Sequence, residues 1–162
     1  MLSKDVLRHT LGAADRITKK YVEDLTQEEL GSVPIEGMNP IAWQLGHLIG
    51  TEYNFANAIK PNSAPPLPEG FLDAHRRQPP GDPNGYLSAA EYIKLMDEQR
   101  ANTLKVLDEL SEEQLTGATP IEQLRQMCPT IASTINLIGS HYLMHAGQWV
   151  AVRRKAGKPI AI

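Results

Sequence analysis

The 162-residue chain holds a single cysteine, Cys128, so an intramolecular disulfide is excluded and no C-x-x-C pair exists for redox or metal chemistry. Cys128 precedes Pro129 in an expected loop and reads as small apolar filler rather than as a nucleophile. Long hydrophobic runs are missing as well. None approaches transmembrane length, and the start Met1-Leu2-Ser3-Lys4-Asp5 lacks the apolar stretch of a signal peptide. The expected placement is therefore a reducing cytoplasm, with no membrane partner. Neither sign of charge is in large excess: a net charge of −3 and a pI near 5.9 leave no electrostatic footprint for nucleic acid. The one tight basic cluster, Arg153-Arg154-Lys155, falls where a last helical turn favours cations and reads as helix-end charge first and as a phosphate- or carboxylate-binding group second.

Several chemical signatures are absent too. There is no glycine-rich phosphate loop, no H-E-x-x-H and no G-x-S-x-G elbow. Glu-x-x-His pairs on two helices, the mark of a di-iron carboxylate bundle, are not found. Alternating apolar and polar runs are missing, which argues against a sheet.

What is present is helical periodicity. One all-α domain over residues 1–162 is expected, long enough to bury roughly 70% of its unfolded surface. The first helix is predicted from Ser3 to Tyr21, with Val6, Leu7, Leu11, Ala14, Ile17 and Tyr21 along one stripe. Thr26 and Glu29 have capping-box spacing in the turn that follows. A second helix starts at Asn39-Pro40, with asparagine as N-cap and proline in the first helical position, and runs to about Lys60. The third starts at Ser88, with Glu91 completing a capping box, and ends near Leu110. The fourth spans Thr130 to Ala156, with Gly157 past its end.

Between the second and third helices lies a crossover, Pro61 to Leu87, holding seven of the twelve prolines. Connections of this length are functional or disordered in most compact domains, although a bundle also needs them topologically. Phe71, Leu72 and Tyr86 give this one something to bury, so an ordered loop is expected, with a helical turn at Phe71–His75.

The most informative feature is the pair His141 and His145 on the fourth helix. Positions four apart share a helix face, separated by about 6 Å of rise, so two imidazoles placed this way can grip one ion. His47, among the apolar Leu45, Leu48 and Ile49, can supply a third from the facing helix. Three histidines with an open position describe a catalytic rather than a closed structural site. The spacing is equally met by two partly buried histidines bonded separately to backbone or solvent. Gly46 and Gly50, with Gly139 and Gly147, sit at or near helical intervals from these histidines. Each costs about 1 kcal/mol inside a helix, so either close helix crossing or room for a ligand is implied. Gln148 either faces the same cavity or is solvated. His9 and His75 have no partner at ligand spacing, and His75, beside Arg76-Arg77, reads as exposed.

The run Asn39-Pro40-Ile41-Ala42-Trp43-Gln44-Leu45-Gly46-His47-Leu48-Ile49-Gly50, then His141-x-x-x-His145-x-Gly147-Gln148 and a closing Arg-Arg-Lys-x-Gly-Lys-Pro, resembles the DinB-like superfamily. These proteins are distinct from the DNA polymerase that shares the name. The likeness covers nearly the whole chain, crossover included. It implies an up-down-down-up four-helix bundle, often homodimeric, with His47, His141 and His145 on a zinc or nickel ion. It also implies metal-dependent transfer or isomerisation with a low-molecular-weight thiol, such as mycothiol or bacillithiol, and an electrophilic small molecule. A second reading is a binding protein whose metal is structural or sensory. A fourth protein ligand, for which His75 of the crossover is the only spare histidine expected within reach, would favour that second reading. No catalytic residue is assigned.

Overall fold

A computed structural model describes residues 3–75 and 86–160. Several of its helices open on a side-chain cap. Helix α1 spans Ser3–Val22, and the short α2, Gln27–Leu30, follows a Thr26–Glu29 capping box. Helix α3 is Ile41–Ile59. Its N-cap is Pro40 and not Asn39, and no side chain caps it; Asn39 instead offers its carbonyl to the Gln44 side chain at 2.8 Å. The crossover contains the predicted turn as α4, Phe71–Ala74. Its prolines Pro79, Pro80 and Pro83 and the pair Arg76-Arg77 lie outside the described residues. Helix α5, Ala89–Glu109, opens on the Ser88–Glu91 capping box. The short α6, Glu112–Thr116, and a 3-10 turn at Glu122–Leu124 have no counterpart in the sequence reading, being too brief to show a period. Helix α7, Ile131–Lys155, starts at a Thr130 cap and ends before Gly157, whose φ of 69° reverses the chain.

Helices α1, α3, α5 and α7 form the bundle. Each packs on two others: α1 on α7 and α5, and α3 on α5 and α7. Consecutive long helices α1 and α3 thus occupy opposite corners. Leu7, Leu11, Ala14 and Tyr21 of the predicted stripe are buried, whereas Val6 is 47% exposed. Among the described residues there is no strand, only one isolated bridge between Ala118 and Thr130, and no helix long and apolar enough to cross a membrane.

Two ion pairs inside this framework were not anticipated. Arg100 of α5 is buried and grips Glu52 of α3 through Nε–Oε1 at 2.8 Å and Nη2–Oε2 at 3.0 Å. Its Nη1 donates to the Leu11 carbonyl of α1 at 2.6 Å, and its guanidinium lies 5.0 Å from the Tyr142 ring centroid of α7. Thr103 donates to the same Glu52 oxygen at 2.8 Å. Burial alone would pull the Arg100 pKa down, but the Glu52 charge more than offsets it, so the guanidinium stays charged. The second pair corrects the reading of Arg153 as a simple helix-end charge. Arg153 is 2% exposed, forks onto Asp24 at 2.5 and 3.1 Å, and donates to the Tyr21 and Pro159 carbonyls. Only Arg154 and Lys155 point out as expected.

Removing one partner of a buried pair leaves the other charge uncompensated, at a cost of about 3–5 kcal/mol. Glu52→Leu should therefore lower the denaturant midpoint strongly. The double variant Glu52→Leu/Arg100→Met should recover most of that loss, because it leaves no buried charge behind.

Candidate metal centre

Helix α3 carries Trp43, Gln44 and His47 within one turn, and α7 carries His141, His145 and Trp149 at successive four-residue steps, so both helices present a stripe across their shared contact. The three histidines converge. One nitrogen from each of His47, His141 and His145 lies within 4.8 Å of the other two. Ring centroids are 4.9 Å apart for His141 and His145, 5.1 Å for His47 and His141, and 5.8 Å for His47 and His145. Trp43 stacks flat on His47, 5.2 Å between centroids at 9° between planes.

A glutamine sets the tautomer. The Trp149 indole N–H can only donate, and it donates to Gln44 Oε1 at 2.9 Å. The same oxygen lies 2.7 Å from His145 Nδ1, which must therefore carry the proton. The Nε2 lone pair of His145 is thus aimed at the cluster, 3.2 Å from His141 Nε2. Gln44 is itself anchored, donating to the Asn39 carbonyl and almost fully buried. Sequence reasoning singled out Gln148, which stays partly exposed; the glutamine that meets the triad is Gln44. A polar residue three positions before His47, inside an otherwise apolar run, was the signal available.

His75 also departs from expectation. It is 4% exposed, with Nδ1–H donating to the Phe71 carbonyl at 2.7 Å. Its Nε2 is left to accept from the Tyr92 hydroxyl at 3.0 Å. Both nitrogens are committed, so His75 is not a fourth ligand. Its role is packing: a methyl group on Gly46 would overlap its ring, and one on Gly50 would come within 2.9 Å of Leu72 Cδ2. These two glycines admit the crossover rather than a second long helix. Gly139 does serve helix crossing, its missing methyl lying 3.1 Å from Thr10 Cγ2 of α1. Gly147 faces open space, and nothing in the structure explains it.

Compared with known proteins, the chain matches the DinB superfamily over residues 10–149. The chain belongs to the DinB superfamily. Its fold is similar to that of a conserved Enterococcus faecalis protein known from its crystal structure, with a TM-score of 0.72 and 20% identity over 98% of this chain and 99% of that one. At that identity the likeness speaks for the fold alone. No curated protein matches the chain.

In this DinB-superfamily chain the triad contains imidazoles and no carboxylate or thiolate. Burial, followed by the neighbouring imidazoles, lowers the pKa of His141 and of His145 to about 4, and burial lowers His47 as well. Neutral imidazole is the form that ligates a metal. Two nitrogens held at 2.0–2.1 Å from one tetrahedral zinc stand about 3.3–3.4 Å apart. The 3.2 Å between the Nε2 atoms of His141 and His145 fits that requirement. Cys128 plays no part here; it is buried, and burial pushes its thiol up.

Two cavities flank His47. A small one of about 140 Å³ lies on the crossover side, between Gly46, Gly50, Asn54 and His75. A larger cleft of about 670 Å³ opens on the other side, with His47 and His141 in its wall.

Gly46→Ala should destabilise the protein by about 1–3 kcal/mol through overpacking against His75. Gly147→Ala, with free space around it, should instead stabilise α7 by up to about 1 kcal/mol. Thermal unfolding of the two variants checks the contrast. The titration has a sign as well. Below the ordinary pKa of about 6.5 the unfolded chain binds protons that the buried triad refuses. Stability of the metal-free protein should therefore be fully present above that range and fall as pH drops from there towards about 4. A melting temperature indifferent to pH over this window would contradict the burial of the triad.

Proposed function

We propose that this protein binds one divalent transition-metal ion through His47, His141 and His145 and uses it to activate a low-molecular-weight thiol for transfer to an electrophile. The carrying observation is the convergence of three neutral imidazoles within 4.8 Å while His75, the one spare histidine nearby, is engaged elsewhere through both nitrogens. Among the described residues this leaves a three-ligand set with a position free for an exogenous group, the arrangement of catalytic rather than structural sites. Imidazole donors favour zinc or nickel over calcium or magnesium. A metal ion bound there would supply a lowered thiol pKa and hold the sulfur as thiolate.

The chain's own residues do the positioning. Gln44 holds His145 in the ligating tautomer, and Trp149 holds Gln44. Trp43 covers one face of His47 and limits its rotation. The cleft beside His47 and His141 is the side from which a substrate reaches the triad. One observation favours a non-catalytic, sensory or structural ion: the cluster contains no carboxylate to serve as general base. Thiol chemistry needs none once the sulfur is deprotonated, so the transferase reading is the stronger. Homodimerisation through matching helix faces belongs to the same proposal and is checked by solution mass.

Purified protein should hold one zinc or nickel per chain by elemental analysis, and His141→Ala should hold none. Gln44→Leu should keep the fold while weakening metal affinity about 10–100-fold, as loss of an outer-shell partner does. Because burial lowers the pKa of His141 and His145 to about 4 and lowers that of His47 as well, protons compete weakly, and occupancy should persist below the ordinary histidine range. Turnover of a thiol panel with a generic electrophile should vanish with chelator and return with metal. Equal rates for wild type and His141→Ala at full wild-type loading would rule out the triad as the catalytic centre.

A further inference from the structure

The cleft on the α7 side of His47 has a composition unlike the rest of the molecule. Charged residues make up 22% of the chain, yet among the described residues no Lys, Arg, Asp or Glu lines this cleft. Its walls are Phe55 from α3, Leu124 and Met127 from the segment around the 3-10 turn, and Leu137 and Met144 from α7. The polar contribution, apart from the two histidines, is the hydroxyls of Thr51 and Ser140. Ser140 is already committed, its hydroxyl lying 3.2 Å from both the Asn136 and Leu137 carbonyls of its own helix. At about 670 Å³ the cleft falls in the range of small-molecule sites, which is roughly 300–1,000 Å³.

We infer that this cleft is the binding pocket for an uncharged molecule with an aliphatic or aromatic body, whose reacting group at one end meets the histidine triad. Three observations carry the assignment. The cleft is continuous with the triad, because His47 and His141 belong to both. Among the described residues it offers no cation for a carboxylate or phosphate and almost no free donor for a sugar, so a polar, anionic body would be desolvated there without compensation. Its rim is formed by Met127 and Met144, 64% and 57% exposed, unbranched thioether chains that adapt to apolar shapes of different width. In the thiol-transfer reading, on which this inference rests, the apolar partner is the electrophile, and the polar thiol needs another approach to the metal.

The test uses two homologous series, straight-chain 1-alkanols and 1-alkanethiols from four to eight carbons, titrated into zinc-loaded wild-type protein and followed by intrinsic tryptophan fluorescence. Burial of a methylene is worth about 0.8 kcal/mol, so both series should tighten about fourfold per added carbon. The thiols should bind more tightly than alcohols of equal length, and that offset should vanish in His141→Ala while the slope per carbon persists. The double variant Met127→Asp/Met144→Asp replaces two exposed side chains and should keep its melting temperature and zinc content while its slope falls below twofold per carbon. A wild-type slope below twofold, as when a second copy of the chain covers the cleft, would overturn the pocket. So would an undiminished slope in the double variant. Loss of the thiol offset in wild type with the slope intact would sink the metal reading and leave the pocket standing.

Discussion

The guanidinium of Arg100 touches every long helix of the bundle: its own α5, the Leu11 carbonyl of α1, Glu52 of α3 and the Tyr142 ring of α7. A charge taken out of water is tolerable only when its partners are exact in number and place, since each unmade bond carries a desolvation penalty. Four helices that pack through apolar side chains alone can slide or rotate at modest cost, because volume-conserving rearrangements cost little. A buried fork that must meet a carboxylate and a carbonyl together removes that freedom. The consequence reaches the histidines directly. Glu52 lies little more than one turn from His47 on α3, and Tyr142 is the neighbour of His141 on α7. Holding those two residues in register holds the triad in register.

The triad is assembled from groups that dislike their surroundings when alone. Three imidazoles in a half-buried cluster resist protonation, which keeps them in the ligating form but makes the metal-free fold sensitive to acid. Gln44 counters part of this by satisfying His145 and Trp149 with one oxygen. An amide is suited to that place because it adds no charge beside the imidazoles, yet accepts two donors at once.

The crossover contributes a wall rather than a linker. Its described part returns through α4 and lays Leu72 and His75 into the notches left by Gly50 and Gly46. His75 spends both nitrogens on Phe71 and Tyr92, so it closes one side of His47 without joining the triad. The two sides of His47 are therefore unequal: a small, partly polar pocket faces the crossover, and a wide apolar cleft faces the 3-10 segment.

The helices and the candidate ligands were legible in the sequence because both are local signals. Periodicity near 3.6 residues, capping boxes at Ser88 and Thr26, and the four-residue step from His141 to His145 depend on neighbours along the chain. That His47 joins them could be suspected from its setting but not located. The buried Arg100–Glu52 pair, the fork of the buried Arg153 onto Asp24, the capture of His145 by Gln44 and the burial of His75 were not legible. Each joins residues far apart in sequence, and a lone Arg, Glu or Gln in a helix looks the same whether it faces water or a partner. Composition and local spacing determined that this chain is a helical bundle with histidines at ligand spacing. Tertiary packing decided which side of the site is open, which histidine is withheld and which glutamine supports it, because burial and long-range hydrogen bonds exist only once the helices have met.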